Sequence, residues 1–151
     1  VLVAIDFSPW SPPAVALARQ VAPRAHLVLM SAFEVPFEGK LRFAGVDEAT
    51  IARYRQEARK TATRRLQALA QSGGLLGSDW EPCVVEGDAS QRLVEQEQEL
   101  DCELVVLGKH GQSAAEDFLL GSVTKHVLAE GQADVLVSTL ASGQIGAATS
   151  I

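Results

Sequence analysis

Apolar residues in this chain gather into five short runs, and between the runs they recur at every third or fourth position. The first run, Val1-Leu2-Val3-Ala4-Ile5, is unbroken and ends at Asp6; runs at 26–33, 81–85, 104–107 and 135–137 have the same character. Short runs rich in β-branched residues, without alternation, predict strands covered on both faces, as in a parallel sheet. Val15, Ala18, Val21 and Ala22 predict a first helix, capped by Ser11 ahead of Pro12-Pro13 and closed at Pro23. Asp47 can cap a longer second helix with Ile51, Tyr54, Ala58, Ala62, Leu66 and Leu69 on one face, ended by Ser72-Gly73-Gly74. Leu93, Val94, Glu97 and Leu100 mark a third helix, and residues 122–130 a fourth that stops at Gly131. The order βαβαβαβαβ with right-handed crossovers predicts an α/β fold: a doubly wound, five-stranded parallel sheet of order 3-2-1-4-5 with helices on both faces.

Residues 34–46, with Pro36, Gly39 and Gly45, match no regular element and are read as a long loop after the second strand. Small polar residues from 140 to 151 predict a flexible tail behind a domain spanning 1–139.

Composition narrows the function. The 151 residues are 47% hydrophobic, enough for a real core, and contain no apolar run long enough to cross a bilayer. Nineteen acidic against thirteen basic residues give a net charge of −6, the wrong sign for a protein that grips phosphate backbone, and two Trp, one Tyr and five Phe make a poor base-stacking platform. Nucleic acid is therefore not an expected partner. Cys83 and Cys102 form no C-x-x-C pair, which reads as two buried thiols in a reducing cytoplasm. No basic segment precedes the opening apolar run, so a secretory leader is not expected, and a start at Val1 is compatible with a piece of a longer chain.

In open α/β sheets, ligands bind beyond the carboxyl ends of the strands where strand order reverses, here between strands one and four. Strand one delivers Asp6-Phe7-Ser8; strand four delivers Leu107-Gly108-Lys109-His110-Gly111, and Gly121-Ser122-Val123 follows just before the last helix. Glycine at a strand end lets a ligand approach the backbone, and the first amides of a helix can receive phosphate oxygens. Each signal alone is compatible with an ordinary turn or cap. Their joint spacing, Gly108, two residues, Gly111, nine residues, Gly121-Ser122, is more specific.

That spacing resembles the universal stress protein family, whose adenine-nucleotide motif is G-2x-G-9x-G-(S/T). The flanking Leu119-Leu120 and Val123 match the family, as do Ile5-Asp6-Phe7-Ser8, the Val85-Glu86-Gly87-Asp88 turn and Asp134-Val135-Leu136-Val137. The resemblance covers almost the whole chain and implies an ATP-binding stress-response or signalling module. It implies that Ala4, Ile5 and Asp6 line the nucleoside end, with Asp6 near the ribose or a Mg²⁺ ion, and that Ala32 borders adenine. Leu107 would cover the base, while Gly108, His110, Gly111, Gly121, Ser122, Val123 and Thr124 surround ribose and phosphates. Ala32 stands where many nucleotide-binding members have Val, a smaller wall for the base.

Other readings stand beside these. Asp6 can hold a metal through water or cap its own loop through Ser8 or Ser11. His110 can meet phosphates or be an exposed polar surface residue. Arg53, Arg55, Arg59, Lys60, Arg64 and Arg65 can form a docking face or a solvated helix surface. Glu95, Glu97, Glu99, Asp101 and Glu103 form an opposite cluster, compatible with self-association. No G-x-G-x-x-G follows strand one, no Walker loop occurs, and strand five ends in Ser138-Thr139 where a receiver domain would need Lys. No nucleophile is paired with a base, so no catalytic residue is assigned and at most a slow ATPase is expected. The alternative function is a family member that binds no nucleotide and acts through dimerisation and protein contacts. The last strand is a sheet edge without Pro or Lys, and it predicts a homodimer through strand five, as the resemblance also implies.

Overall fold

The computed structural model describes residues 1–110 and 120–143. Among these, the elements in chain order are β1 (Leu2–Ala4), α1 (Ser11–Val21), β2 (Leu27–Phe33), α2 (Glu38–Phe43), α3 (Glu48–Ser72), β3 (Trp80–Glu86), α4 (Ala89–Glu99), β4 (Leu104–Gly108), α5 (Ser122–Glu130) and β5 (Asp134–Ser138). The strands form one sheet, β3-β2-β1-β4-β5, in which every pairing is parallel. Val3 sits opposite Leu29 on one side and Val106 on the other, so β1 is the centre from which the winding departs in both directions.

The unbroken apolar runs have a direct cause. Neighbouring Leu2 and Val3 point to opposite faces, and both are 0% exposed because both faces are covered. Val3, Ile5, Leu27, Leu29 and Val106 pack with Ala14, Val15 and Ala18 of α1 and Leu66 and Ala70 of α3. Leu2, Val28, Met30, Val105 and Leu107 pack with Leu93 of α4 and Val127 of α5. Burying one such side chain stabilises the fold by roughly 1.5–3 kcal/mol, which is the main reason the sheet holds.

Local signals set several boundaries. Asp47 caps α3 by accepting from the Thr50 amide (2.8 Å), a bond that holds its carboxyl below the ordinary Asp range. Asp88 caps α4 through the Gln91 amide (3.1 Å). The start of α1 differs from expectation: Ser11 is the first helical residue, Trp10 is the cap, and the Ser11 hydroxyl is directed to Asp6 instead of to the helix amides.

The expected loop at 34–46 contains α2, a helix with no buried residue. Ion pairs hold it: Arg42 meets Glu38 and Glu48, each at 2.8 Å, and Arg55 of α3 bridges Glu38 to Glu86 of β3, the latter at 2.9 Å. Gly45, at φ +84°, ends α2 in the left-handed conformation with Val46 N–H bonded to Leu41 O (3.0 Å). The buried stripe of α3 runs from Ile51 past the partly buried Arg55 to Ala62, Leu66 and Ala70, which leaves Tyr54 exposed. Glu97 departs most from its reading as a surface acid. It is only 3% exposed, and its Oε1 accepts the amides of Gln132 (2.6 Å) and Ala133 (2.8 Å), tying α4 to the turn that leads into β5.

Candidate functional site

Two loops meet where the winding reverses. The first leaves β1 through Asp6. The Asp6 Oδ1 accepts from the Ser8 amide (2.9 Å) and the Ser11 hydroxyl (3.0 Å), and the Asp6 amide donates to Ser11 Oγ (3.3 Å). Of the two roles open to Asp6, the loop-capping one is thus realised. Phe7 carries the turn at φ +62°, with the Arg65 guanidinium 4.0 Å from its ring centroid. The loop is rigid because Ser8 and Ser11 are both buried inside this bonding pattern.

The second loop leaves β4. Lys109 N–H donates to Ser138 O of β5 (2.8 Å), Gly121 N–H donates to Lys109 O (2.8 Å), and the Thr124 hydroxyl donates to Gly108 O (3.0 Å). These bonds pin the first turn of α5 to the end of β4, with Gly121 as its cap and Ser122 exposed in the first turn. Helix geometry gives the Ser122 and Val123 amides no partner within α5 and puts them at the positive end of its dipole.

The predicted residues divide accordingly. Asp6, Leu107, Gly108, His110, Gly121, Ser122, Val123 and Thr124 come together at the ends of β1 and β4. Ala4 and Ala32 lie on the α4/α5 side of the sheet by strand alternation, Ala4 in register with Met30 and Ala32 with Val85. Ile5 does not present its side chain: it is 4% exposed in the α1/α3 core, and only its backbone, bonded to Met30 O, borders the strand end. Gly111 lies outside the described residues, as do Leu119 and the tail from 144 onward.

His110 is not surface. It is 8% exposed, its ring meets Trp10 edge-on with centroids 5.1 Å apart, and its Nε2 is buried without a hydrogen-bond partner among the described residues. Gly108 is glycine for a different reason than ligand approach. A Cβ there would stand 2.6 Å from Trp10 Cβ, so the indole's residue occupies that direction. Trp10 was not singled out in the sequence. The available signal was a large aromatic beside a strand-end turn in a chain with few aromatics.

Leu107, expected to cover the base, is 3% exposed in the α4/α5 core and, like Ile5, does not present its side chain. The small apolar wall of Ala4, Ala32 and Val123, a helix N-terminus and a buried ring nitrogen unpartnered among the described residues fit a nucleoside phosphate. A metal fits less well: no group of three or more His, Cys, Asp or Glu converges among the described residues, and Asp6 Oδ1 serves its loop.

A model described as the universal stress protein family matches residues 1–138. The chain belongs to that family. Solved universal stress proteins share its fold. One, in complex with cAMP, is 28% identical with a TM-score of 0.60, over 92% of this chain and 95% of that one. UspA from Lactobacillus plantarum is 20% identical with a TM-score of 0.60, over 90% and 94%. A universal stress protein from Archaeoglobus fulgidus in complex with dAMP is 15% identical with a TM-score of 0.56, over 90% and 94%. Among curated proteins, none matches significantly. No helix among the described residues is long and apolar enough to cross a membrane.

Proposed function

We propose that this universal stress protein binds an adenine nucleotide, ATP foremost, at the carboxyl ends of β1 and β4, and that occupancy serves as a signal. The observation that carries this reading is the first turn of α5 pinned beside the end of β4 by Gly121 and Thr124, which brings the positive end of the helix to the strand ends where Asp6 leaves β1. Nucleotide complexes of other family members support the class of ligand. Ala4 and Ala32 supply apolar surface for the base, and Ser122 adds a hydroxyl for phosphates. Any Mg²⁺ arrives with the phosphates, where it would neutralise charge, with the Asp6 carboxylate at the end of β1 as its candidate ligand.

Hydrolysis is expected to be slower than about 1 s⁻¹, below ordinary enzyme turnover, because Asp6 is engaged by Ser8 and Ser11 in its own loop and the His110 ring is packed against Trp10. The unpaired thiols support a cytoplasmic setting. The working form is a homodimer through β5, whose outer edge has no partner strand among the described residues and whose Val135, Leu136 and Val137 are only half-buried.

Calorimetry with ATP tests the site. Gly121→Val puts a branched side chain at the helix cap, and ATP affinity is expected to fall at least ~10-fold, about 1.4 kcal/mol. Absence of ATP binding to the native chain, or equal affinity in the folded variant, overturns the reading and leaves the dimerisation module in its place.

A further inference from the structure

Three facts converge on Trp10, which lies behind the nucleotide site. It is the cap of α1, held by its own amide bonded to Ser8 Oγ (3.3 Å) and its carbonyl accepting from Ala14 N–H (3.3 Å). Its Cβ closes on Gly108 so tightly that a Cβ there would stand 2.6 Å away and force one of the two loops to shift. Its indole meets the His110 ring at 5.1 Å and 73°.

Strand alternation shows which side this is. Leu107 belongs to the α4/α5 face, so Gly108 turns toward the α1 face, where Trp10 stands. The α5 first turn lies on the other side. Trp10 therefore backs the β4 loop without standing where phosphates meet the helix.

We propose that Trp10 is a positioning residue that fixes the His110 ring and couples the Asp6 loop to the phosphate loop. This deepens the nucleotide reading and rests on it for the ligand. A buried imidazole nitrogen without a partner costs about 1–3 kcal/mol, so a ring free to turn would reach water. The edge-on indole opposes that turn and holds the ring in place, so that Nε2, unpartnered among the described residues, is kept for a ribose hydroxyl or phosphate oxygen. Because the backbone of Trp10 is bonded to Ser8, and Ser8 to Asp6, a displacement of either loop is felt by the other. The amide of Ser142, just after β5, bonds to Pro9 O (2.6 Å), which brings the start of the C-terminal stretch to the same junction.

The test compares Trp10→Ala, Trp10→Leu and Trp10→Phe with the native chain by two measurements: ATP affinity by calorimetry, and mobility of the His110 ring by NMR relaxation of the ligand-free protein. Trp10→Ala is expected to weaken ATP binding at least ~10-fold while Trp10→Phe stays within about 3-fold. Trp10→Leu, which keeps bulk but offers no ring edge, should behave as Trp10→Ala does and serves if that variant does not fold. In the ligand-free protein, the His110 ring should be more mobile in Trp10→Ala and Trp10→Leu and near native in Trp10→Phe. Unchanged His110 ring mobility in Trp10→Ala, or ATP affinity within about 2-fold of native, overturns the proposal. If the native chain binds no ATP, the nucleotide reading fails by itself, and the ring mobility alone decides whether Trp10 positions His110.

Discussion

The two edges of the sheet are built differently. β3, bonded only to β2, carries Pro82, which has no amide to offer, and Arg59 of α3 reaches over to bond the Val84 carbonyl (2.7 Å) while its guanidinium lies 5.5 Å from the Phe33 ring centroid. β5, bonded only to β4, has neither Pro nor Lys between Asp134 and Ser138, and its three central aliphatics are half-buried. An open edge is a template for another strand, so among the described residues one side is closed against pairing and the other is left available. The difference also reaches inward. β5 begins where Glu97 holds the preceding turn through two amides, so the open edge is the one given a rigid anchor from α4.

Altering β5 should have the largest effect. Val137→Pro removes a backbone donor from the open edge, since the bonds of the Asp134 amide to Glu103 O and of the Lys109 amide to Ser138 O turn the even-numbered residues of β5 toward β4, and we expect the dimer to dissociate, with the dimer Kd raised at least ~100-fold, about 2.7 kcal/mol. Light scattering at micromolar concentration checks this, with circular dichroism to show that β5 stays on the sheet. A native chain that is monomeric there, or a variant dimer of native strength, removes the contrast between the edges.

Next comes the anchor. Glu97→Ala leaves two amides without their acceptor and empties a buried site, and unfolding in urea should show a loss of about 2–4 kcal/mol. A loss under about 0.5 kcal/mol, the range of an ordinary surface change, would mean that the turn before β5 holds itself. The closed edge offers a gain-of-function test. Pro82→Val together with Arg59→Ala restores an amide and frees a carbonyl on β3. Concentration-dependent association beyond the native oligomer is the expected result in light scattering, with monomer stability changed by no more than about 1 kcal/mol. If the double variant matches the native chain, Pro82 and Arg59 are not what closes the edge.

The smallest effect concerns the thiols. Burial raises the pKa of Cys83 on β3 above the ordinary thiol value, aided by Glu81 and Glu99, and burial likewise raises that of Cys102. A raised thiol pKa means less thiolate at neutral pH, so alkylation of both should be slower than that of an exposed thiol and should accelerate only at alkaline pH. Alkylation of Cys83 at the rate of a small free thiol at pH 7.5 would show that β3 opens readily and that its closed edge is dynamic.

What the sequence determined by itself follows from signals contained within a few residues. The unbroken run at Val1-Leu2-Val3, the cap Asp47 and the stop at Gly131 decide a strand, a helix start and a helix end. The spacing of Gly108, Gly111, Gly121 and Ser122 marked where to look for the site. Apolar side chains are legible this way because periodicity alone fixes whether they face the core. Polar and aromatic residues at junctions are not, because their position depends on a partner distant in sequence. Arg55 holds α2 only because Glu86 lies beside it on β3. Glu97 turns inward only because the amides of Gln132 and Ala133 arrive there, and Ser11 leaves its cap position to satisfy Asp6. Trp10 meets Gly108 and His110 only once β1 and β4 are neighbours in the sheet. Tertiary structure decided these four, since a hydrogen bond, an ion pair or a ring contact is a property of two groups and local sequence displays only one of them.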